Sequence, residues 1–244
     1  MSPAPHSDAP ARAPGSARPD LLVIAKAPIA GASKTRLCPP CSPGQAAQLA
    51  RAALRDTLQA VAATPGAGRR VLVLDGAPGP WLPRGFEVVA QRGDGLAQRL
   101  AHAFAACAGS ALLVGMDTPQ LTPALLGAGV QALRDGAAAV LGLAADGGYW
   151  AIGLRRPDAD VFDGVPMSTA RTGAVQRARL DALGLAPVTL PVLRDVDRID
   201  DAVAVAASAP HTRFARTLAR LELAAGEDEP VPAPVDLARQ ERAA

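Results

Sequence analysis

Two lysines stand among the 25 basic residues of this 244-residue chain, and both fall in one nine-residue window. Lys26 closes an apolar run at 21–25, and Lys34 follows in Lys26-Ala27-Pro28-Ile29-Ala30-Gly31-Ala32-Ser33-Lys34-Thr35-Arg36. A strand that runs into a loop with Gly, Ser, Thr and three cations can hold phosphate through backbone N–H groups and charge-assisted side-chain bonds. A P-loop would need glycine six residues and one residue before Lys34, where Pro28 and Ser33 stand. The G-x-G-x-x-G dinucleotide fingerprint is absent too. A solvated basic loop is the plainer alternative.

Two more apolar runs end in carboxylates. The run 111–115 leads through Met116 to Asp117-Thr118-Pro119, and 188–192 leads to Arg194-Asp195-Val196-Asp197. A carboxylate at such a strand end can hold Mg²⁺ or Mn²⁺ that bridges substrate phosphates. Asp117 could instead cap the helix that follows. Asp195 and Asp197, two apart, point the same way if extended, so either could join Asp117 at a metal. Asp200 or Asp201 suits the cap of the next helix. Between these clusters lie Asp146-Gly147-Gly148-Tyr149-Trp150 and Met167-Ser168-Thr169. The glycine pair allows close backbone approach to a ligand, or makes a hairpin turn. Ser168-Thr169 could contact a ligand or cap a helix.

Short apolar runs at 21–25, 71–74, 86–89, 111–115, 138–143, 149–154 and 188–192 read as buried strands. Helical patterns separate most of them. The first opens at Ser42-Pro43-Gly44-Gln45, a capping box with proline at the first position, and the others span 96–108, 122–134, 169–183, 200–207 and 212–223. This alternation predicts an α/β fold with a mostly parallel sheet covered on both faces. Ligands of open α/β sheets bind beyond the carboxyl ends of the strands, where the polar clusters lie. One domain is expected over 21–224, with disordered tails at 1–20 and 225–244. The N-terminal twenty residues are neutral and the C-terminal twenty carry −3, which leaves +5 on the body.

Composition excludes several classes. Aromatics are 3%, net charge is +2, and the arginines look dispersed along the chain, which argues against polymeric nucleic acid. No apolar run reaches the roughly 18 residues of a membrane span, and the start lacks the apolar core of a secretory signal. A cytoplasmic location is expected. Cys38-Pro-Pro-Cys41 has no second ligand pair for zinc and no strand directly before it for a redox helix. The absence of asparagine removes a Cys/His/Asn arrangement, and no G-x-S-x-G elbow exists.

The order of these segments resembles a family of bacterial GT-A-like glycosyltransferases (DUF2064 type), often labelled arsenosugar-biosynthesis or radical-SAM/selenodomain-associated transferases, within the nucleotide-diphospho-sugar transferase superfamily. The resemblance covers about residues 21–205. It rests on A-K-A-P-I-A-G-A-S-K-T-R-L, G-D-G-L-A-Q-R-L, G-M-D-T-P-Q-L, D-G-G-Y-W-A-I-G-L, V-P-M-S-T and D-V-D-R-I-D-D. The K-T-R-L and D-V-D elements are also similar to 2-phospholactate guanylyltransferase.

The resemblance implies a three-layer α/β/α GT-A sandwich that binds a nucleotide-activated donor and a small-molecule acceptor. The nucleotide and its phosphates would meet Ala25, Lys26, Pro28, Gly31, Lys34, Thr35, Arg36 and Arg99. Mg²⁺ or Mn²⁺ would sit on Asp117 and Asp197. Lys34, Asp117 and Asp146 would be catalytic, while Gly147, Gly148, Tyr149, Ser168 and Thr169 would face the acceptor. Met167 stands where the family usually has Trp, and Arg198-Ile199 replace the common Thr-Pro. Glycosyl transfer is the leading expectation, nucleotidyl transfer the next, and a non-catalytic nucleotide-binding module the third.

Overall fold

Residues 18–227 are described in the computed structural model, and in them each apolar run becomes a strand and each helical pattern a helix. The strands are β1 (Asp20–Lys26), β2 (Arg70–Asp75), β3 (Glu87–Ala90), β4 (Ala111–Gly115), β5 (Ala139–Ala144), β6 (Tyr149–Leu154) and β7 (Val188–Leu193). The helices are α1 (Pro43–Ala63), α2 (Leu96–Ala105), α3 (Pro123–Arg134), α4 (Thr172–Ala182), α5 (Ile199–Ser208) and α6 (Arg213–Glu227). Single 3-10 turns occupy Thr35–Leu37 and Ala159–Phe162. The capping box forms as the sequence predicts: Ser42 Oγ accepts from Gln45 N–H, and Gln45 Oε1 accepts from Ser42 N–H at 2.7 Å.

One seven-stranded sheet runs in the order β3-β2-β1-β4-β6-β5-β7. All neighbours pair in parallel except β6, which is antiparallel to both β4 and β5. The link from β5 to β6 holds only residues 145–148, far too few for a crossover, so β6 must return antiparallel. Alternate residues of β1 face opposite layers. Leu21 and Val23 pack with Leu54 of α1 and Val130 of α3, while Leu22 packs with Phe104 of α2 and Leu180 of α4. The architecture is therefore α/β/α in three layers.

A smaller apolar cluster lies apart from these two. Leu37 from the first loop and Val196 from the segment after β7 are both fully buried among Leu49 of α1, Val205 of α5 and Phe214 of α6. Asp56, buried on α1, receives the N–H groups of Arg213 and Phe214 at 3.1 and 2.8 Å and so caps α6. The charge of Asp56 meets the positive end of that helix.

The expected tails lie mostly outside the described residues. Where they overlap the structure, Asp20 opens β1 and residues 225–227 belong to α6. Asp20 is buried because Arg69 grips its carboxylate at 2.8 and 3.0 Å, which offsets the cost of removing it from water. The helix expected at 169–183 begins later, at Thr172. Ser168 adopts a left-handed φ of 59°, and Thr172 Oγ1 donates to Pro166 O, which keeps the preceding residues in a turn.

Candidate active site

Parallel pairing sends the carboxyl ends of β1, β4, β5 and β7 to one edge of the sheet, and antiparallel β6 starts there. Chain direction reverses its lateral course between β1 and β4: β2 and β3 lie to one side of β1, and β4 to the other. Such a switch point opens a crevice. A cleft of about 620 Å³ occupies it. Of the residues singled out in the sequence, Ala25, Lys26, Lys34, Thr35, Arg36, Arg99, Asp117, Tyr149, Ser168 and Asp197 line this cleft.

Lys34 is the centre of the charged side. Its side chain is only 10% exposed; its ammonium lies 2.8 Å from Asp117 Oδ1 and 3.5 Å from Asp197 Oδ1, and it donates to Val196 O. Arg36 binds the other oxygen of Asp197 at 2.9 Å. The first loop, Asp117 and Asp197 are some eighty positions or more apart in sequence. Two apolar anchors hold them together: Leu37 ends the turn that carries Lys34 and Arg36, and Val196 separates Asp195 from Asp197, both sunk in the same small core. Val196 N–H also donates to Asp117 O at 2.9 Å, which ties the end of β7 to the end of β4. Asp117 does not cap α3, because Thr122 does so by accepting from Leu125 N–H.

Lys34 and Ser168 are the non-glycine residues with positive φ among those described, at 53° and 59°. Both line the cleft. Such conformations cost about 1–3 kcal/mol and persist where the surroundings fix them, often at functional sites.

Three carboxylates gather beside the cleft. Asp146, Asp195 and Asp197 each bring an oxygen within 4.8 Å of the others. Burial, and then the nearby charge of Asp146, push the Asp195 carboxyl up to about 6. Asp197 thus belongs to two groups: the lysine-bridged pair with Asp117, and this trio. Asp201 takes the structural task foreseen for that region, accepting from Arg198 N–H at 3.0 Å.

Six of the expected site residues do not line the cleft: Pro28, Gly31, Asp146, Gly147, Gly148 and Thr169. The glycine pair allows close backbone approach, but the backbone it approaches is the protein's own. A Cβ on Gly147 would stand 2.0 Å from Ala170 O, and Gly147 O accepts from Gly173 N–H at 2.8 Å. Asp146 Oδ1 accepts from Gly148 N–H at 2.7 Å, so it shapes the turn and also faces the trio. Thr169 Oγ1 accepts from Arg171 N–H ahead of α4. Tyr149 lines the cleft while its hydroxyl donates to buried Gln176 at 3.4 Å, and burial pushes the phenol up.

Gln91 is a cleft residue that the motif reading missed. Its amide donates to Ala25 O and Val73 O at 2.8 and 3.1 Å, and its carbonyl oxygen accepts from Arg99 at 3.1 Å. Arg99 is held further by Asp75 at 3.1 Å. The signal is a polar residue one position beyond the run at 86–89, as Asp117 is one position beyond the run at 111–115. Met116, also in the cleft wall, accepts the Lys26 N–H on its sulfur at 3.3 Å.

Solved structures share this mostly parallel three-layer fold. A structure from Desulfovibrio desulfuricans G20, provisionally named a nucleotide-diphospho-sugar transferase, matches with a TM-score of 0.75 and 26% identity, over 83% of this chain and 94% of that one. At the level of fold alone, two others match with TM-scores of 0.52. One is a CMP:2-keto-3-deoxy-manno-octonic acid synthetase complexed with CTP, 14% identical over 80% of this chain and 99% of the other. The second is a cytidylyltransferase from Leptospira borgpetersenii serovar Hardjo-bovis, 11% identical over 86% and 95%. No functionally curated protein matches the sequence. Residues 47–169 match the family described as "Uncharacterized protein conserved in bacteria (DUF2064)", and the chain belongs to that family.

Proposed function

We propose that the protein is a transferase that uses a nucleotide-activated donor, and that it moves a glycosyl group from a nucleoside-diphosphate sugar to a small-molecule acceptor. The observation that carries this reading is the meeting of Lys26, Lys34 and Arg36 with Asp117 and Asp197 in one cleft at the switch point. Cations placed there would neutralise the charge that develops on a departing diphosphate. The likeness to the Desulfovibrio protein supports a sugar nucleotide as donor.

The donor set suits a hard divalent cation, because the trio offers only carboxylate oxygens. Asp146, Asp195 and Asp197 would hold Mg²⁺ or Mn²⁺ there, with Asp117 across Lys34 from Asp197. When bound, the ion would supply further neutralisation of phosphate charge. The protein's own part is to present Lys34 at the phosphates and to keep Arg99 fixed through Gln91 and Asp75. Tyr149 and Ser168 would border the acceptor.

A second reading, nucleotidyl transfer from a nucleoside triphosphate, draws on the three cations of the first loop, which suit a triphosphate. Parallel assays separate the two. The protein with Mn²⁺ and a panel of sugar nucleotides should release nucleoside diphosphate, and should release no pyrophosphate from nucleoside triphosphates with phosphorylated acceptors. Pyrophosphate release without nucleoside diphosphate would replace the first reading with the second. Folded Asp197→Ala that kept full biological activity while losing metal binding would leave only a binding module.

A further inference from the structure

Three oxygens from two strand ends surround the ammonium of Lys34: Asp117 Oδ1 at 2.8 Å, Asp197 Oδ1 at 3.5 Å and the carbonyl oxygen of Val196. An all-oxygen set with two carboxylates is also what a hard divalent cation selects. Asp117 Oδ1 supplies a second, separate observation. It is sealed from solvent and, among the described residues, accepts no hydrogen bond, so the ammonium meets it as a charge without a directed N–H···O contact. Buried polar atoms are rarely left in that condition. A metal ion places charge without needing an aligned hydrogen, and so satisfies such an oxygen better.

Resting on the reading of the cleft as a nucleotide site, we infer that Lys34 is the resident cation of this oxygen cage and trades places with a divalent ion. The ion takes Asp117 and Asp197, and the displaced ammonium turns to the donor phosphates. The side chain can move without the loop. Leu37 is fully buried after it, and before it Ser33 Oγ donates to Ala27 O at 2.9 Å and accepts from Ile29 N–H at 3.1 Å. The ammonium is a compact charge on a flexible four-carbon stem, and Lys34 already lines the cleft beside Lys26 and Arg36. Both carboxylates are partly open to water, so each pair that must break is weak. Together they hold the ion back about tenfold, equivalent to about 1.4 kcal/mol. Phosphate lifts that barrier by giving Lys34 a new partner, so ion and donor favour each other's binding.

Mn²⁺ alone is the probe, titrated into the full chain at about 0.15 M ionic strength and followed by the EPR signal of the free ion. Lys34→Met removes the charge and keeps an apolar stem; Lys34→Ala, which leaves space instead of a stem, is the second variant. Both should bind Mn²⁺ about tenfold more tightly than wild type. Adding Asp117→Asn should cancel the gain, and Arg177→Ala, which removes a remote charge, should bind as wild type does. A second measurement uses the scarcity of lysine. In protein labelled with ¹³C-lysine, only Lys26 and Lys34 contribute side-chain signals, and Mg²⁺ should shift the Cε resonance of Lys34 as it saturates. Equal or weaker Mn²⁺ binding by both Lys34 variants overturns the exchange, as does a gain that survives Asp117→Asn. A Lys34 signal that stays fixed while Mg²⁺ binds overturns it too. None of these readouts needs a nucleotide. The exchange can therefore fail while nucleoside diphosphate is still released from sugar nucleotides, and it can hold where none is released.

Discussion

The loop after β1 reaches the sheet edge with its side chains, whereas the turn between β5 and β6 reaches the same edge with its backbone. Both stretches are short, polar and rich in small residues. In the first, Leu37 is buried and the residues before it are free to aim Lys34 and Arg36 at Asp117 and Asp197. In the second, Gly147 and Gly148 are used up by contact with the backbone of residues 170–173. A glycine pair reports that something comes close but not what it is. A lysine whose neighbours are anchored reports where a charge must go.

The largest expected effect lies on the backbone side. Gly147 has a φ of +92°, and a Cβ there would stand 2.0 Å from Ala170 O, so Gly147→Ala must displace main chain. Strain and clash together should cost at least about 3 kcal/mol of folding stability, measured by denaturant titration. Nucleotide affinity of the remaining folded protein should be nearly unchanged. A variant that stays stable but loses nucleotide binding would move Gly147 to the ligand side and dissolve the contrast between the two stretches.

Lys34→Ala should do the opposite. Removing one partner of a buried ion pair costs about 3–5 kcal/mol, but Asp117 and Asp197 are 41% and 35% exposed and can be hydrated once the ammonium is gone. The stability change should therefore stay near about 1 kcal/mol. Nucleotide affinity should fall about 30-fold, equivalent to about 2 kcal/mol, by calorimetry or thermal shift. Unchanged affinity would show that Lys34 serves only to hold Asp117 and Asp197 in place.

Much of this arrangement was legible in the sequence because the same local signal repeats. A polar residue within three positions of the end of an apolar run marks Lys26, Asp117 and the start of the Asp195–Asp197 pair, and the sheet topology sends all of them to one edge. What was not legible depended on distance in the chain. Spacing alone leaves Asp195 and Asp197 with equal claims, and it does not show that Asp146 lies beside both. The small core that fixes Leu37 and Val196 needs α1, α5 and α6 together, and no single segment announces it. The meeting of Arg51 and Arg55 on α1 with Arg216 and Arg220 on α6 at one groove is hidden for the same reason.

Arg177 supplies the smallest expected effect and the finest test of placement against overall charge. It lies exposed on α4, and its guanidinium is 3.4 Å from Thr189 Oγ1, a contact too long to contribute much. Arg177→Ala should change stability by less than about 0.5 kcal/mol. Both Arg177→Ala and Lys34→Ala remove one positive charge from a body that carries +5. If a diffuse positive field recruits the nucleotide, the two variants should weaken binding alike at low salt and converge on wild type as salt is raised. If placed charge does so, Arg177→Ala should bind as wild type does at every salt concentration. Lys34→Ala should then stay weak at about 0.15 M, where the screening length is about 8 Å and only groups in near contact still act.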